Sequence, residues 1–179
     1  MIEEVSRLTA IVPPPPDSGV SVDWPAVFDT LGTELPPDYV QLIEVYGGGY
    51  FDEYLWLLEP SSVHRGCDII KVYEERTEAL TMLWDEGEPK PSYLDAPGVR
   101  VIPWATTDNG EFLYWLVKPG QRPEDWTVLI NEARGWEWEH YDMGCAAFLV
   151  ASLTGEVRSD ILWSNYPSYP HKFIPTRSF

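Results

Sequence analysis

Glu137 and Glu139, two residues apart, come nearer than any other pair in this chain to a spacing that could do chemistry. In a strand they share a face with Cα atoms about 7 Å apart, and roughly 6.5–9.5 Å between carboxyls is what inverting glycoside hydrolysis needs to seat a water. Side chains of one strand project in parallel, however, and cannot easily flank a sugar bond from opposite sides, which leaves glycoside cleavage as a lesser alternative. The pair therefore reads as an acidic strip facing solvent or a partner, opposite a face of Trp136, Trp138 and His140 turned inward. His64, His140 and His171 have no neighbour at metal-ligand spacing. Cys67 and Cys145 lack CxxC spacing and are expected to be reduced, structural thiols, Cys145 because it opens an apolar run. No Gly-x-Ser-x-Gly elbow occurs. Gly47, Gly48 and Gly49 follow a helical pattern and precede a strand, the reverse of the order in a phosphate-binding loop, and no lysine is close. The expectation is a non-enzymatic chain with no catalytic residue, no metal site and no cofactor. Trp56, Trp84, Trp104, Trp115 and Trp126 leave sugar stacking open, but tryptophans within strands read first as core.

Charge is the chain's most unusual bulk property. Twelve Lys and Arg stand against 29 Asp and Glu, a net charge of −17. Such a surface repels nucleic acid and anionic membranes and suits a basic protein, because complementary fields speed and select association. Between Arg7 and Arg65 there is no Lys or Arg, while nine acids occur: Asp17, Asp23, Asp29, Glu34, Asp38, Glu44, Asp52, Glu53 and Glu59. The first residues carry Glu3 and Glu4 where a secretory leader would be basic, so a cytoplasmic location is expected.

The elements that must position these residues can be read along the 179-residue chain. Pro13 to Pro16 form a stiff connector after a short N-terminal segment. Asp23 caps a short helix that has Pro25 in its first turn and Val27, Phe28 and Leu31 inward. In LPPDYVQLIEVYGGG, residues Leu35, Tyr39, Leu42, Ile43 and Tyr46 share one helical face, and Gly47 is placed to end the helix. One strand is expected over Tyr50 to Leu58, then a helical region from Ser61 through Trp84, with Val72, Arg76, Leu80 and Leu83 on one stripe. Residues 85–97 read as loop. A hairpin turning at Asn109–Gly110, strands near 126–130 and 135–141, and a helix from Cys145 stopped by Gly155 complete the pattern. The fold class is α+β: a single domain with a mixed, mainly antiparallel sheet flanked by helices. Its parts are residues 1–22, an N-terminal segment with the polyproline linker; 23–155, the domain; and 156–179, an aromatic, proline-broken C-terminal arm packed on it.

Together, the helix LPPDYVQLIEVYGGG, the strand FDEYLWLLEP, the pair VRVIPWATTDNGEFLYW and the ending WEHYDMGCAAFLVASLTG resemble the SUKH superfamily. That superfamily includes bacterial toxin-immunity proteins and fungal regulators of cell-wall synthesis. The resemblance implies an α+β fold and a binding role: an immunity protein that neutralises a cognate toxin, often a nuclease, or a cytoplasmic regulatory scaffold. It brings no catalytic residue. The polyproline connector and the aromatic tail depart from the family core. Partner contacts are expected from Asp52, Glu53, Glu59, Asp85, Glu86, Glu88, Glu137 and Glu139, with Tyr50 and Tyr54 as aromatic anchors.

Overall fold

A computed structural model describes residues 1–16 and 18–179; Asp17, one of the acids of the cation-free stretch, lies outside them. Helix α1 (Glu3–Ile11) occupies what reads in sequence as a mere segment, and buries Val5 and Leu8. α2 (Trp24–Leu31) starts where Asp23 accepts the Ala26 N–H at 3.3 Å, with proline in its first turn. α3 (Pro37–Tyr46) buries the expected face of Tyr39, Leu42, Ile43 and Tyr46. α4 (Ile69–Asp85) begins eight residues later than Ser61, because Asp68 is its cap, accepting from the N–H groups of Ile70 and Lys71 at 2.9 and 3.2 Å. Such a cap contributes about 1 kcal/mol. Leu83 falls off the buried stripe, which runs through Ile69, Val72 and Leu80. α5 (Cys145–Thr154) is apolar on nearly every side and is buried accordingly, ending at Gly155 with φ 77°.

The strands are β1 (Gly49–Phe51), β2 (Leu55–Leu57), β3 (Arg100–Thr107), β4 (Phe112–Val117), β5 (Thr127–Asn131), β6 (Trp138–Tyr141) and β7 (Phe173–Pro175). They form one seven-stranded sheet in the order β6-β5-β4-β3-β2-β1-β7, every pair antiparallel. Two expectations change here. The single strand over Tyr50–Leu58 is a hairpin, turning where Asp52 and Glu53 adopt φ of 51° and 57°. No glycine or proline marks that turn, and left-handed backbone costs roughly 1–2 kcal/mol for each such residue; the tail supports it, the Lys172 carbonyl accepting the Asp52 N–H at 2.9 Å. The tail in turn supplies β7, which pairs with β1 in the register Phe51 opposite Phe173.

The three glycines each have a separate reason. Gly47 has φ 68°; a Cβ on Gly48 would lie 2.5 Å from the Glu59 carboxyl carbon; one on Gly49 would lie 2.4 Å from the Ile174 carbonyl oxygen of β7. One face of the sheet, carrying Phe51, Leu55, Leu57, Ile102, Leu113, Trp115, Val128, Ile130 and Phe173, joins the helices in the main core. The opposite face holds a second cluster of Leu116, Leu129 and Tyr114 with Leu80 and Trp84 of α4 and Leu94. Trp104, Trp115 and Trp126 are buried, which places them as core.

Candidate partner-docking surface

Register alone aligns one residue from each strand across the second face: Ile174, Tyr50, Trp56, Thr106, Phe112, Asn131 and Trp138. Tyr50 stacks flat on Trp56, ring centroids 4.2 Å apart and planes 5° apart. The Trp56 indole N–H donates to Asp108 at 2.6 Å, and the Phe179 ring leans on both aromatics. Further along, the Arg76 guanidinium lies 4.5 Å from the Phe112 ring centroid, and Trp84 of α4 rests against Trp138. α4 thus covers the β6 end of the row, while Tyr50 and Trp56 remain half-buried at the other end.

Of the acids expected to face a partner, four are engaged inside the molecule. Asp52 is buried and accepts from the N–H groups of Ser168 and Lys172 at 3.2 and 2.9 Å and from His171 Nδ1 at 2.8 Å. Its place is beneath the C-terminal arm, because the left-handed turn swings its side chain under residues 168–172. Glu59 accepts the Gly48 N–H at 2.7 Å and closes the glycine turn. Glu139 accepts from Tyr141 Oη at 2.6 Å, Ser159 Oγ at 2.5 Å and the Asp160 N–H at 2.7 Å. The outward acidic strip is thereby corrected: Glu139 lies on the core side of β6 and fastens the start of the arm. Glu53, though exposed, is ion-paired with Lys172.

Tyr54 is likewise buried. Its hydroxyl donates to Glu111 Oε2 at 3.0 Å and accepts the Trp163 N–H at 2.9 Å. Burial pushes its phenol up to about 12. Glu111, a buried carboxylate that also takes the Thr107 hydroxyl, escaped the sequence reading; its signal was an acid directly after the Asn109–Gly110 turn, at the mouth of an apolar strand. Burial, then the Asp38 carboxylate, holds the Cys145 thiol well above its ordinary range, so it stays protonated and packs as core.

The remaining acids gather at the β6 end. Asp85 and Glu86 are exposed and Glu88 half-buried at the end of α4, and the Trp84–Trp138 contact of 6.5 Å brings them toward exposed Glu137. Trp136, expected inward, is 55% exposed next to Glu137 in the chain. Its neighbour Trp138 is the half-buried member of the row, 5.4 Å from the Tyr114 ring, and His140 is exposed with Nε2 2.8 Å from Thr127 Oγ1. Five strand spacings, about 24 Å, separate β1 from β6, so the expected contacts form two patches at opposite ends of the sheet. The β6 patch combines free carboxylates with an exposed indole; the β1 patch is aromatic and largely occupied by the molecule's own side chains.

Among the described residues no cluster of three His, Cys, Asp or Glu is arranged to hold a metal ion, and no helix is long and apolar enough to cross a membrane. No curated protein and no solved structure matches the chain. A family model described as SUKH_6, SMI1-KNR4 cell-wall, matches residues 29–149, from the end of α2 into α5. That span takes in the sheet from β1 to β6 and leaves out α1 and the arm. With its α+β architecture, the chain belongs to the SUKH superfamily of immunity and cell-wall-regulator-like proteins, whose members bind partner proteins.

Proposed function

We propose that this chain is a cytoplasmic, non-enzymatic immunity protein of a bacterial cell that binds and occludes a basic toxin domain through the α4–β6 end of its sheet. The observation that carries this reading is the exposed Trp136, next to exposed Glu137 and at the end of the sheet where Trp84 meets Trp138 and α4 ends in exposed Asp85 and Glu86, in a chain of net charge −17. An exposed indole at an acidic end of the sheet fits a protein hot spot: the ring supplies buried area and the acids steer a cationic surface onto it. The probe is the basic toxin domain of a secreted protein encoded in a neighbouring reading frame. Trp136→Ala is expected to weaken its binding about 30-fold, and charge reversal at Asp85, Glu86 and Glu137 to slow association and flatten its salt dependence. An association rate untouched by the triple reversal would exclude this surface.

The SMI1-KNR4 cell-wall description of the matching family model favours a second reading, a regulatory scaffold that binds a cytoplasmic protein without inhibiting it. Co-expression separates the two. An immunity protein rescues cells from the toxin, and a scaffold does not.

A further inference from the structure

The two margins of the sheet are built differently. β7 is three residues long and closes on Pro175, which has no N–H to offer another strand. β6, residues Trp138–Tyr141, contains neither proline nor lysine, and no strand lies beyond it among the described residues. Its pairing with β5 sets Trp138 opposite Asn131, Glu139 opposite Ile130 and His140 opposite Leu129. The Glu132 N–H donates to the Glu137 carbonyl at 3.1 Å, which fixes the alternation of the ladder. Glu137 and Glu139 turn their main-chain groups toward β5; Trp138 and His140 turn theirs toward the open margin.

What guards this margin is a preponderance of negative charge, the Lys90 ammonium lying one side chain away, over Trp84. Glu137, Glu139 and Asp142 lie on or beside β6, and no Lys or Arg occurs between Arg134 and Arg158. A second copy of the chain would bring the same carboxylates alongside and be repelled. A strand carrying lysine or arginine meets the opposite field. Glu139 is already taken by Ser159 and Asp160, which leaves exposed Glu137 and Asp142 at the two ends of β6 to receive cations. Trp136 stands at the Glu137 end as an apolar stop.

We infer that β6 is a docking margin which takes an extended, lysine- or arginine-bearing segment of a partner protein as an eighth strand, with the main-chain groups of Trp138 and His140 supplying its hydrogen bonds. The inference rests on the docking reading above in placing the partner at this end of the sheet, and it adds how the partner is held. Strand addition draws affinity from main-chain hydrogen bonds and specificity from alternate side chains.

The test uses the full chain and the peptide acetyl-Lys-Val-Thr-Val-Lys-amide, with two dimethylated derivatives of it that are isomers of each other, one N-methylated at both valines and one at the threonine and the final lysine. In an added strand only one of these phases faces β6. One isomer is therefore expected to lose about ten-fold or more in affinity while the other binds within about two-fold of the parent. The amides of Trp138 and His140 are expected to shift in nuclear magnetic resonance spectra and to exchange about ten-fold more slowly on adding the parent peptide. Equal binding of all three peptides, unchanged Trp138 and His140 amides, or no binding at millimolar peptide overturns strand addition. Glu137→Lys with Asp142→Lys separates the two levels: if this variant weakens the parent peptide while both isomers bind alike, the acidic docking surface stands and the eighth strand falls. If the double variant binds as the wild type does, the docking reading fails with it.

Discussion

Asp52 shows how much one carboxylate can organise. It sits in a left-handed turn, with its side chain out of solvent, and collects three donors from residues 168–172. Hydrogen bonds to a charged acceptor contribute about 1.5–3 kcal/mol each at most, and removing the acceptor strands its buried donors. Asp52→Ala is expected to lower the unfolding free energy in urea by about 2–4 kcal/mol and to make residues 156–179 the first site of proteolysis; an unchanged digestion pattern would show that the arm's other contacts hold it without Asp52. The phenols form a second residue-level group. Burial is the first cause raising those of Tyr39, Tyr46, Tyr54, Tyr93, Tyr114, Tyr141 and Tyr166. Because their folded values lie above the unfolded value of about 10, the stability they contribute is whole below pH 10 and drains away as pH rises past it. Ultraviolet absorbance titration should show these tyrosines ionising together with alkaline unfolding, not ahead of it.

At the scale of elements, legibility followed the strength of local signals. α2, α3 and α5 are bounded by residues with a fixed mechanical role: Asp23 as cap, prolines in first turns, Gly47 and Gly155 at the ends. The β3–β4 hairpin turns at Gly110, φ 95°. The β1–β2 hairpin was hidden, because Asp52 and Glu53 make a turn with no glycine or proline to mark it, steadied by contacts from the arm. β7 was hidden by the prolines around it, which deny an interior strand but suit an edge. For the same reason the sequence did not separate the acids that stay free from those engaged inside the molecule: Asp52, Glu53 and Glu139 are taken by residues of the 156–179 arm. Gly49 joins these levels. A Cβ there meets main-chain atoms of β7, the Ile174 oxygen at 2.4 Å and the Pro175 Cα at 2.8 Å, and neither can move without parting the strands. Gly49→Ala should cost about 1–3 kcal/mol, and amide exchange should quicken at Phe173–Pro175 while the β3–β4 pair keeps its protection. Uniform loss of protection would mean that β7 does not open separately.

Over the whole molecule, −17 of net charge is held on 179 residues. Like charges on one compact body oppose folding, and salt relieves them: the Debye length falls from about 30 Å at 0.01 M to about 3 Å at 1 M. The melting temperature is expected to rise by a few degrees over that range, while association with a basic partner slows. A melting temperature that fell with salt would show that the internal ion pairs outweigh the repulsion.

The place of β7 has a consequence for how the chain is made. Phe51 leaves the ribosome long before Phe173, yet the two pair across neighbouring strands. Until then the outer side of β1 is an unmated strand edge, and Asp52, Tyr54 and Glu139 still lack the donors that residues 159–172 bring to them. Pairing over so long a stretch of chain is intrinsically slow, and a nascent chain stalled short of Phe173 would present a sticky, half-sewn sheet to its neighbours. Ribosome-arrested chains released a few residues before and after β7 should differ sharply in solubility, the step falling where β1 gains its partner.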